Sequence, residues 1–596
     1  NYGAESVAFV GGANKGVRDN YLVRFANVFG SPNHTWQGHV CFMPRRMASV
    51  ITCGFDPLPD YEFPPACLVV WGTHVLESRI FSYYDTIQSL DRGTRLIVVD
   101  PRRMELTSRA DLWLQLRPGT DLALALGMIN VIVNEGLFDE AFVNNWAVGF
   151  DKLRAHVQDY APEKVAEITW VPAEMIRRAA RFYATNKPAC FQLGNAIDNN
   201  INSFQTGRAI SILRAITGNL GAPGGEVQWV LQGLLSSPEL RLENKMPQDK
   251  WERRVEAEHK VLPMLREGLP QSIVKAILYE DPYPIRMAYI QGCNALLSWP
   301  NAQETFKALN KLEFLAVADI FMTPTAALAD IVLPAATYLE FDSIVPLPYY
   351  PVHQVQQKVT EVAECWSDCR MLTQLAKRLG LGEYFWTDEE KALDEILKPW
   401  GLTFDEFRKV GAILGSKQYR SYEKGGFETP SRKVELYSDQ LKELGYDPLP
   451  IYHEPPETQY SKPELAEEYP LLFSSCKWLP FRHSGGKQIA TLRGSHPEPV
   501  VMIHPETAGK LSIKEGDWVY IETRRGRMKQ KARLSNDLDP RVIWVDYAWW
   551  FPERGVSELY GWAESNVNVL TDNKPPFNQE MGSTNLRGIA CRVYKT

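Results

Sequence analysis

The stretch Leu96–Asp121, LIVVDPRRMELTSRADLWLQLRPGTD, decides the reading of this chain. It opens on Leu96-Ile97-Val98-Val99, a β-branched apolar run without polar alternation, which suits a strand buried on both faces of a parallel sheet. Asp100-Pro101 ends the run. A carboxylate at the carboxyl end of such a strand stands where open α/β sheets bind nucleotides, and it can accept hydrogen bonds from ribose hydroxyls. Arg117-Pro118-Gly119-Thr120-Asp121 reads as a tight turn. The apolar positions Leu122, Leu124, Leu126, Ile129 and Val133 then predict a helix, with Thr120 or Asp121 placed to cap it. VVDP by itself is equally an ordinary strand, loop and helix start.

Upstream, Pro65–Val70 leads into Trp71-Gly72-Thr73-His74, another buried strand whose terminal glycine lets backbone approach a phosphate closely. A helix over about 78–90 returns to the opening strand, a βαβ unit. Downstream, an amphipathic helix over 171–186 precedes the strand ACFQLG (189–194). Asn195, Asp198, Asn199, Asn200 and Asn202 crowd one loop, a composition typical of a solvated turn. A helix over 206–216 and the glycine-dense turn TGNLGAPGG (217–225) follow. The pattern then repeats. Arg286–Gln291 reads as a strand before Gly292-Cys293-Asn294, a helix covers 301–309, and Phe314–Asp319 is a strand with an acidic end. Asp319 thus mirrors Asp100 in a second nucleotide-binding half, followed by Thr323, ADIVLP (329–334) with Asp330, and Glu340.

Ahead of both lie a strand and glycine turn over 4–12, a helix over Arg18–Phe29, and GHVCFMP (38–44). Cys41 in that Gly- and Pro-flanked loop packs as a small hydrophobe or serves chemistry; the residues alone leave both open. The nine cysteines are scattered with no CxxC pair, so no zinc ribbon or local iron–sulfur motif is written here. The net charge of −7 gives no reason to expect nucleic acid or an anionic membrane as partner. No run reaches the roughly 18 uninterrupted apolar residues of a membrane span. The chain starts NYGAESVAFVGG, without Met or a signal peptide, and reads as one joined mid-domain.

The stretch 361–450 looks helical and loop-rich, with Trp366, Leu372 and Leu375 expected to pack between lobes. Glu454–Pro470 is a polar, Pro-rich linker. Beyond it the period becomes two: Trp518–Thr523 and Met528–Leu534 form a hairpin across Arg524–Arg527, and Arg541–Tyr547 is a further strand, so the last domain is mainly β and barrel-like.

Taken in order, VVDP with RPGTD, the QGCN turn, ADIVLP, TGNLGAPGG, SSCKWLPFRHSGGKQ (474–488), ESNVNVLT (564–571) and MGSTNLRG (581–588) resemble the molybdopterin oxidoreductases, the dimethyl-sulfoxide-reductase superfamily. The resemblance covers nearly the whole chain. It implies an α/β fold of two pseudo-symmetric, doubly wound dinucleotide-binding lobes plus a C-terminal mainly-β barrel. Lobe A would comprise 1–35 and 226–345 and lobe B 36–225, with a connecting region over 346–460 and the barrel over 461–596. It implies a bis-(molybdopterin guanine dinucleotide) cofactor carrying Mo or W. Cys41 falls at the protein ligand to the metal, a place that suits thiolate on a soft centre. His39 and Arg45 are neighbours that would serve around it or are plain loop residues. Carried over position by position, cofactor contacts fall on Gly72, Thr73, Asp100, Arg102, Gly119, Asp121, Gly194, Asn195, Gly292, Asn294, Asp319, Thr323, Asp330, His483, Ser484, Asn566, Asn568 and Gln579. Many members of the family place Asn where His74 stands.

The family's small N-terminal domain with a four-cysteine [4Fe-4S] cluster is not in this sequence, so the cluster is expected only with a missing N-terminal segment. An iron–sulfur electron-transfer subunit is the partner the resemblance implies. The compartment stays open between cytoplasm and periplasm, with a lean to the cytoplasm. Phe42 follows Cys41 where formate dehydrogenases usually carry His, and the GHVCxxP context looks more like the acetylene-hydratase-like branch. The expected activity is oxygen-atom or hydroxyl transfer on a small molecule with a two-electron change. A non-redox hydratase with the same cofactor and a cofactor-less structural subunit are the alternatives.

Overall fold

The computed structural model describes residues 2–13, 16–230, 234–261, 264, 267–347 and 350–596. The elements that position the candidate residues are strands β1 (Val7–Gly11), β2 (His34–Thr35), β3 (Cys67–Trp71), β4 (Arg95–Val99), β5 (Leu112–Leu114), β6 (Ala189–Leu193), β7 (Met287–Gln291), β8 (Phe314–Asp319) and β9 (Ile331–Pro334). With them go helices α1 (Val17–Phe29), α2 (Met43–Cys53), α3 (Asp121–Asn134) and α4 (Ser203–Ile216). The chain divides into two compact units. The first takes 1–37, 229–417 and 553–560; the second takes 38–228, 418–552 and 561–596. The stretch 346–460 is therefore shared, changing unit after Lys417.

In the first unit five parallel strands lie in the order β9-β8-β7-β1-β2. In the second, four parallel strands lie in the order β5-β4-β3-β6. The two sheets share one plan, with β9, β8, β7 and β1 standing in the places of β5, β4, β3 and β6. The correspondence reaches single bonds. Asp330 Oδ2 accepts the Leu315 N–H at 2.7 Å, and Asp111 Oδ2 accepts the Leu96 N–H at 2.8 Å. Asp319 Oδ1 accepts the Phe321 N–H at 3.3 Å, and Asp100 Oδ1 accepts the Arg102 N–H at 2.9 Å.

The missing polar alternation in LIVV has its cause in packing. Ile97 and Val99 join one buried cluster with Cys67, Val69 and Trp71, while Leu96 and Val98 join another with Leu68 and Val70. Both faces of the sheet are thus covered, each buried aliphatic side chain contributing about 1.5–3 kcal/mol. β5 was not evident in the sequence, because Leu112-Trp113-Leu114 is short and set among charges.

The helix expected over 78–90 is two pieces, Val75–Ser78 and Ile80–Asp91. Leu372 is buried in the first unit's own core, whereas Leu375 is exposed. Neither Thr120 nor Asp121 caps α3: Thr120 Oγ1 donates to Arg117 O at 2.7 Å, and Asp121 Oδ1 accepts the Trp71 indole N–H at 2.8 Å. The side chains satisfy a turn and a neighbouring strand instead.

The C-terminal β region closes into a barrel of β10 (Leu471–Cys476), β11 (Val500–Ile503), β12 (Trp518–Thr523), β13 (Gly526–Leu534), β14 (Val542–Asp546) and β15 (Ile589–Lys595), in the order β10-β14-β11-β13-β12-β15. The β12–β13 turn is tighter than expected: Thr523 pairs with Gly526, leaving only Arg524 and Arg525 in the loop. Closure leaves no free strand edge in this sheet.

Candidate active site

The second unit gathers most of the candidate residues. Cys41 follows the short 3-10 turn Gly38–Val40, and α2 begins at Met43 with Pro44 in its first turn. The proline starts the helix rather than breaking a loop, since its missing N–H is not needed there. Cys41 is half-buried, and its Sγ accepts the Asn195 Nδ2–H at 3.3 Å. Arg45, on α2, donates from Nη2 to Asn195 Oδ1 at 3.1 Å and from Nη1 to the carbonyls of Gly194 (3.2 Å) and Cys41 (3.3 Å). Asp198 pairs with Arg45 Nη1 and accepts the Arg45 backbone N–H at 3.2 Å. Burial pushes the Asp198 carboxyl up to about 7, against the opposing pull of Arg45. His39 is buried, and its carbonyl accepts the Ser583 hydroxyl at 2.5 Å.

A second cluster of this unit lies at the tips of β3 and β4. Asp100 and Asp121 are both buried, and burial raises both carboxyls. Arg102 and Arg587 oppose that rise at Asp100; the Trp71 indole N–H and Arg587 oppose it at Asp121. Arg587 ties this cluster to the cysteine loop. Its Nε donates to Asn199 Oδ1 at 3.1 Å, and Asn199 Nδ2 donates to the Val40 carbonyl. Gly72 and Gly119 hold φ of +61° and +87°, backbone that a side chain would strain. Thr73 is buried, its Oγ1 3.1 Å from Ser78 Oγ. His74 is occupied inside the protein. Its Nδ1 accepts the Glu77 N–H at 3.2 Å and its Nε2 lies 2.9 Å from Glu105 Oε2, which places the proton on Nε2.

In the first unit, β7 and β8 carry Gly292, Asn294, Asp319 and Thr323 in the corresponding positions. Burial pushes Asp319 up to about 6, opposed by the N–H groups of Phe321 and Ile320. Unlike at Asp100, no arginine among the described residues opposes that rise. Asn294 Oδ1 accepts the Thr325 hydroxyl at 2.7 Å, and Thr323 Oγ1 accepts the Ala326 N–H at 3.2 Å. Asp330 Oδ2 holds the Leu315 N–H of β8, as described above.

His483 and Gln579 are exposed, and the Ser484 carbonyl accepts the Trp550 indole N–H at 2.8 Å. Asn566 and Asn568 are buried and bonded locally, to the Asn568 N–H (3.1 Å) and the Thr571 hydroxyl (3.0 Å). Sequence reasoning assigned no role to Asp198, Asn199, Ser583 or Arg587. The crowding of Asn and Asp over 195–202 was the signal for the first two.

A family model described as molybdopterin oxidoreductase matches residues 1–378, and one described as molydopterin dinucleotide binding domain matches 471–584. The chain is 35% identical to acetylene hydratase of Syntrophotalea acetylenica, over 96% of this chain and 83% of that protein. It is 28% identical to the thiosulfate reductase molybdopterin-containing subunit of Salmonella typhimurium, over 91% of this chain and 76% of that protein. The solved structure of acetylene hydratase from Pelobacter acetylenicus matches with a TM-score of 0.94 at 33% identity, covering 100% of this chain and 87% of that one. On these matches, the chain belongs to the molybdopterin oxidoreductase family.

Proposed function

We propose that this chain is the catalytic part of a molybdenum- or tungsten-dependent enzyme that holds a bis-(molybdopterin guanine dinucleotide) group and transfers oxygen or hydroxyl to or from a small molecule with a two-electron change. The residues fit such a group. Gln291 is wholly buried, yet its Nε2 and Oε1, like Asn294 Nδ2, have no hydrogen-bond partner among the described residues. The same holds for Thr584 Oγ1 and both side-chain polar atoms of Asn585 in the second unit. A buried polar group left unpaired costs about 1–3 kcal/mol, which a large polar ligand offsets.

The observation that carries the reading is the half-buried Cys41 thiol beside Arg45 and Asn195, in the unit where Asp100 and Asp121 mark the strand tips. Asp100 and Asp319 would accept hydrogen bonds from the nucleotide tails. The glycine turns after β3, β6 and β7 would admit phosphate oxygens close to the backbone. Cys41 would supply the one protein ligand to the metal. When bound, the group supplies a metal that changes oxidation state by two electrons and acts as a Lewis acid toward oxygen. The chain's part is to orient the group and keep water from it.

A second reading, hydration without net redox change, draws support from the similarity to acetylene hydratase along 96% of the chain. A [4Fe-4S] cluster and an iron–sulfur partner subunit belong to the proposal as well. Among the described residues no three His, Cys, Asp or Glu side chains are grouped to hold a metal. Among the described residues no helix is long and apolar enough to cross a membrane.

Metal and pterin analysis of the purified protein tests the main reading, with one Mo or W and two pterins per chain expected. Finding neither would support a scaffold protein. Turnover of an artificial electron acceptor separates the redox reading from the hydratase.

A further inference from the structure

In the second unit a line of hydrogen bonds runs from a buried carboxylate to the Cys41 sulfur. It begins at Asp198, which is fully buried. Both its oxygens are engaged by Arg45, one by the backbone N–H and one by the guanidinium. A guanidinium is flat and its donors form a fixed fork, so anchoring one nitrogen aims the others. Arg45 Nη2 meets Asn195 Oδ1 at 3.1 Å. That contact orients the amide. Its oxygen must face the cation, and its NH2 therefore faces away, toward Cys41 Sγ at 3.3 Å. Turning the amide over would set NH2 against guanidinium and oxygen against sulfur, losing both bonds at once.

A hydrogen bond to a thiolate draws electron density from it, and such bonds shift the potential of the metal the sulfur binds. We propose that Asn195 tunes the Cys41 sulfur through this bond, with Arg45 and Asp198 as positioning residues that keep its NH2 on the sulfur. The inference rests on the reading of Cys41 as metal ligand. Asp198 acts here only through Arg45 and Asn195. The proposal differs from a cofactor contact by Asn195, because its effect passes through the cysteine and reaches a residue two bonds further back.

The holoenzyme tests it. Asn195→Ala, Asn195→Asp and Asp198→Asn are purified, each is checked for wild-type metal and pterin content, and each is titrated by redox potentiometry with X-ray absorption at the metal edge. Asn195→Ala is expected to lower the potential and shorten the cysteine metal–sulfur bond, since the sulfur regains density. Asn195→Asp, which offers no donor, shifts both at least as far. Asp198→Asn shifts both in the same direction by less. If Asp198→Asn does not fold, Arg45→Lys, which keeps the charge but loses the fork, reads the same arm. Wild-type potential and bond length in both Asn195 variants overturn the inference. A shift in the Asn195 variants with none in the Asp198 or Arg45 variants overturns the positioning role. If Cys41→Ala binds the metal with an unchanged absorption spectrum, the ligand reading itself fails and takes the inference with it, a result distinct from the other two.

Discussion

A Cβ on Gly194 would lie 1.8 Å from the carbonyl oxygen of Gly72. At the tips of β6 and β3, backbone therefore rests on backbone, and no side chain fits between. The other unit repeats the arrangement, where a Cβ on Gly12 would lie 1.7 Å from Gly292 O. In both sheets the close approach falls beside the strand end that the candidate nucleotide-binding residues share.

Gly194→Ala and Gly12→Ala should each destabilise their unit by about 3 kcal/mol or more, the upper range for forcing atoms into a packed interior. Gly509→Ala is the control. It sits in the helix Pro505–Lys510 with open space around its missing Cβ, and it should gain about 0.5–1 kcal/mol. Calorimetric melting temperatures compare the three. An unchanged melting temperature for Gly194→Ala would show that the strand tips stand apart.

Arg117 is 1% exposed and meets Glu454 through two bonds of 2.6 Å. Tyr460 lies against its guanidinium, 4.0 Å from ring centroid to Cζ. Glu454→Gln leaves a buried cation without its partner charge and should cost about 3–5 kcal/mol. Arg117→Met with Glu454→Gln should cost less than Glu454→Gln alone, because no charge then stays buried. Chemical denaturation of the single and double variants reads the difference, and a near-zero cost for Glu454→Gln would contradict the pairing.

Burial lowers Lys487 to about 7, with Nζ donating to His483 O at 2.9 Å and lying over the Phe481 ring. Between that value and the ordinary lysine value near ~10.4, the unfolded chain carries a proton the folded chain lacks, so folded-state stability rises with pH. Lys487→Met removes the titrating group. Wild type should gain on the variant by about 1.4 kcal/mol per pH unit from about pH 7.5 to about pH 9.5. Melting temperatures of both proteins across that range provide the check, and parallel curves would mean Lys487 is not buried as a neutral amine.

Asp319 must be ionised to accept hydrogen bonds at both oxygens, and burial places its titration at about 6. Cofactor retention should therefore fall as pH drops through that value. Asp319→Asn should weaken retention at neutral pH by about 1.5–3 kcal/mol, the worth of a hydrogen bond to a charged group, and should flatten the pH dependence. Pterin remaining after gel filtration at several pH values measures this. Equal retention by wild type and variant would remove Asp319 from the binding set.

The parallel strands were legible in the sequence because double burial leaves a compositional mark: LIVV, LVV and FLAVA carry no polar residue, and glycine or aspartate punctuates their ends. The barrel was legible through its period of two. What pairs across the chain was not. Nothing near Arg117 announces Glu454, 337 positions away, and Arg587 reaches Asn199 across 388. Asp330 stands in a recognisable string, ADIVLP, which the resemblance carries to the cofactor. Its bond to Leu315 N–H, matched by Asp111 on Leu96, gives that carboxylate a clamp's task in the fold. Asn566 and Asn568 likewise turn their side chains to nearby backbone and hydroxyl groups, a local habit of asparagine that a motif does not reveal.

Ser583 braces the His39 carbonyl from 544 positions further along the chain. During synthesis on a ribosome, the loop that carries Cys41 must wait for those 544 positions to be made before it receives that support. Final shaping of the sulfur's surroundings is thus a late event, and a truncation just before Ser583 would remove this brace while leaving the bond from Asn199 to the Val40 carbonyl in place.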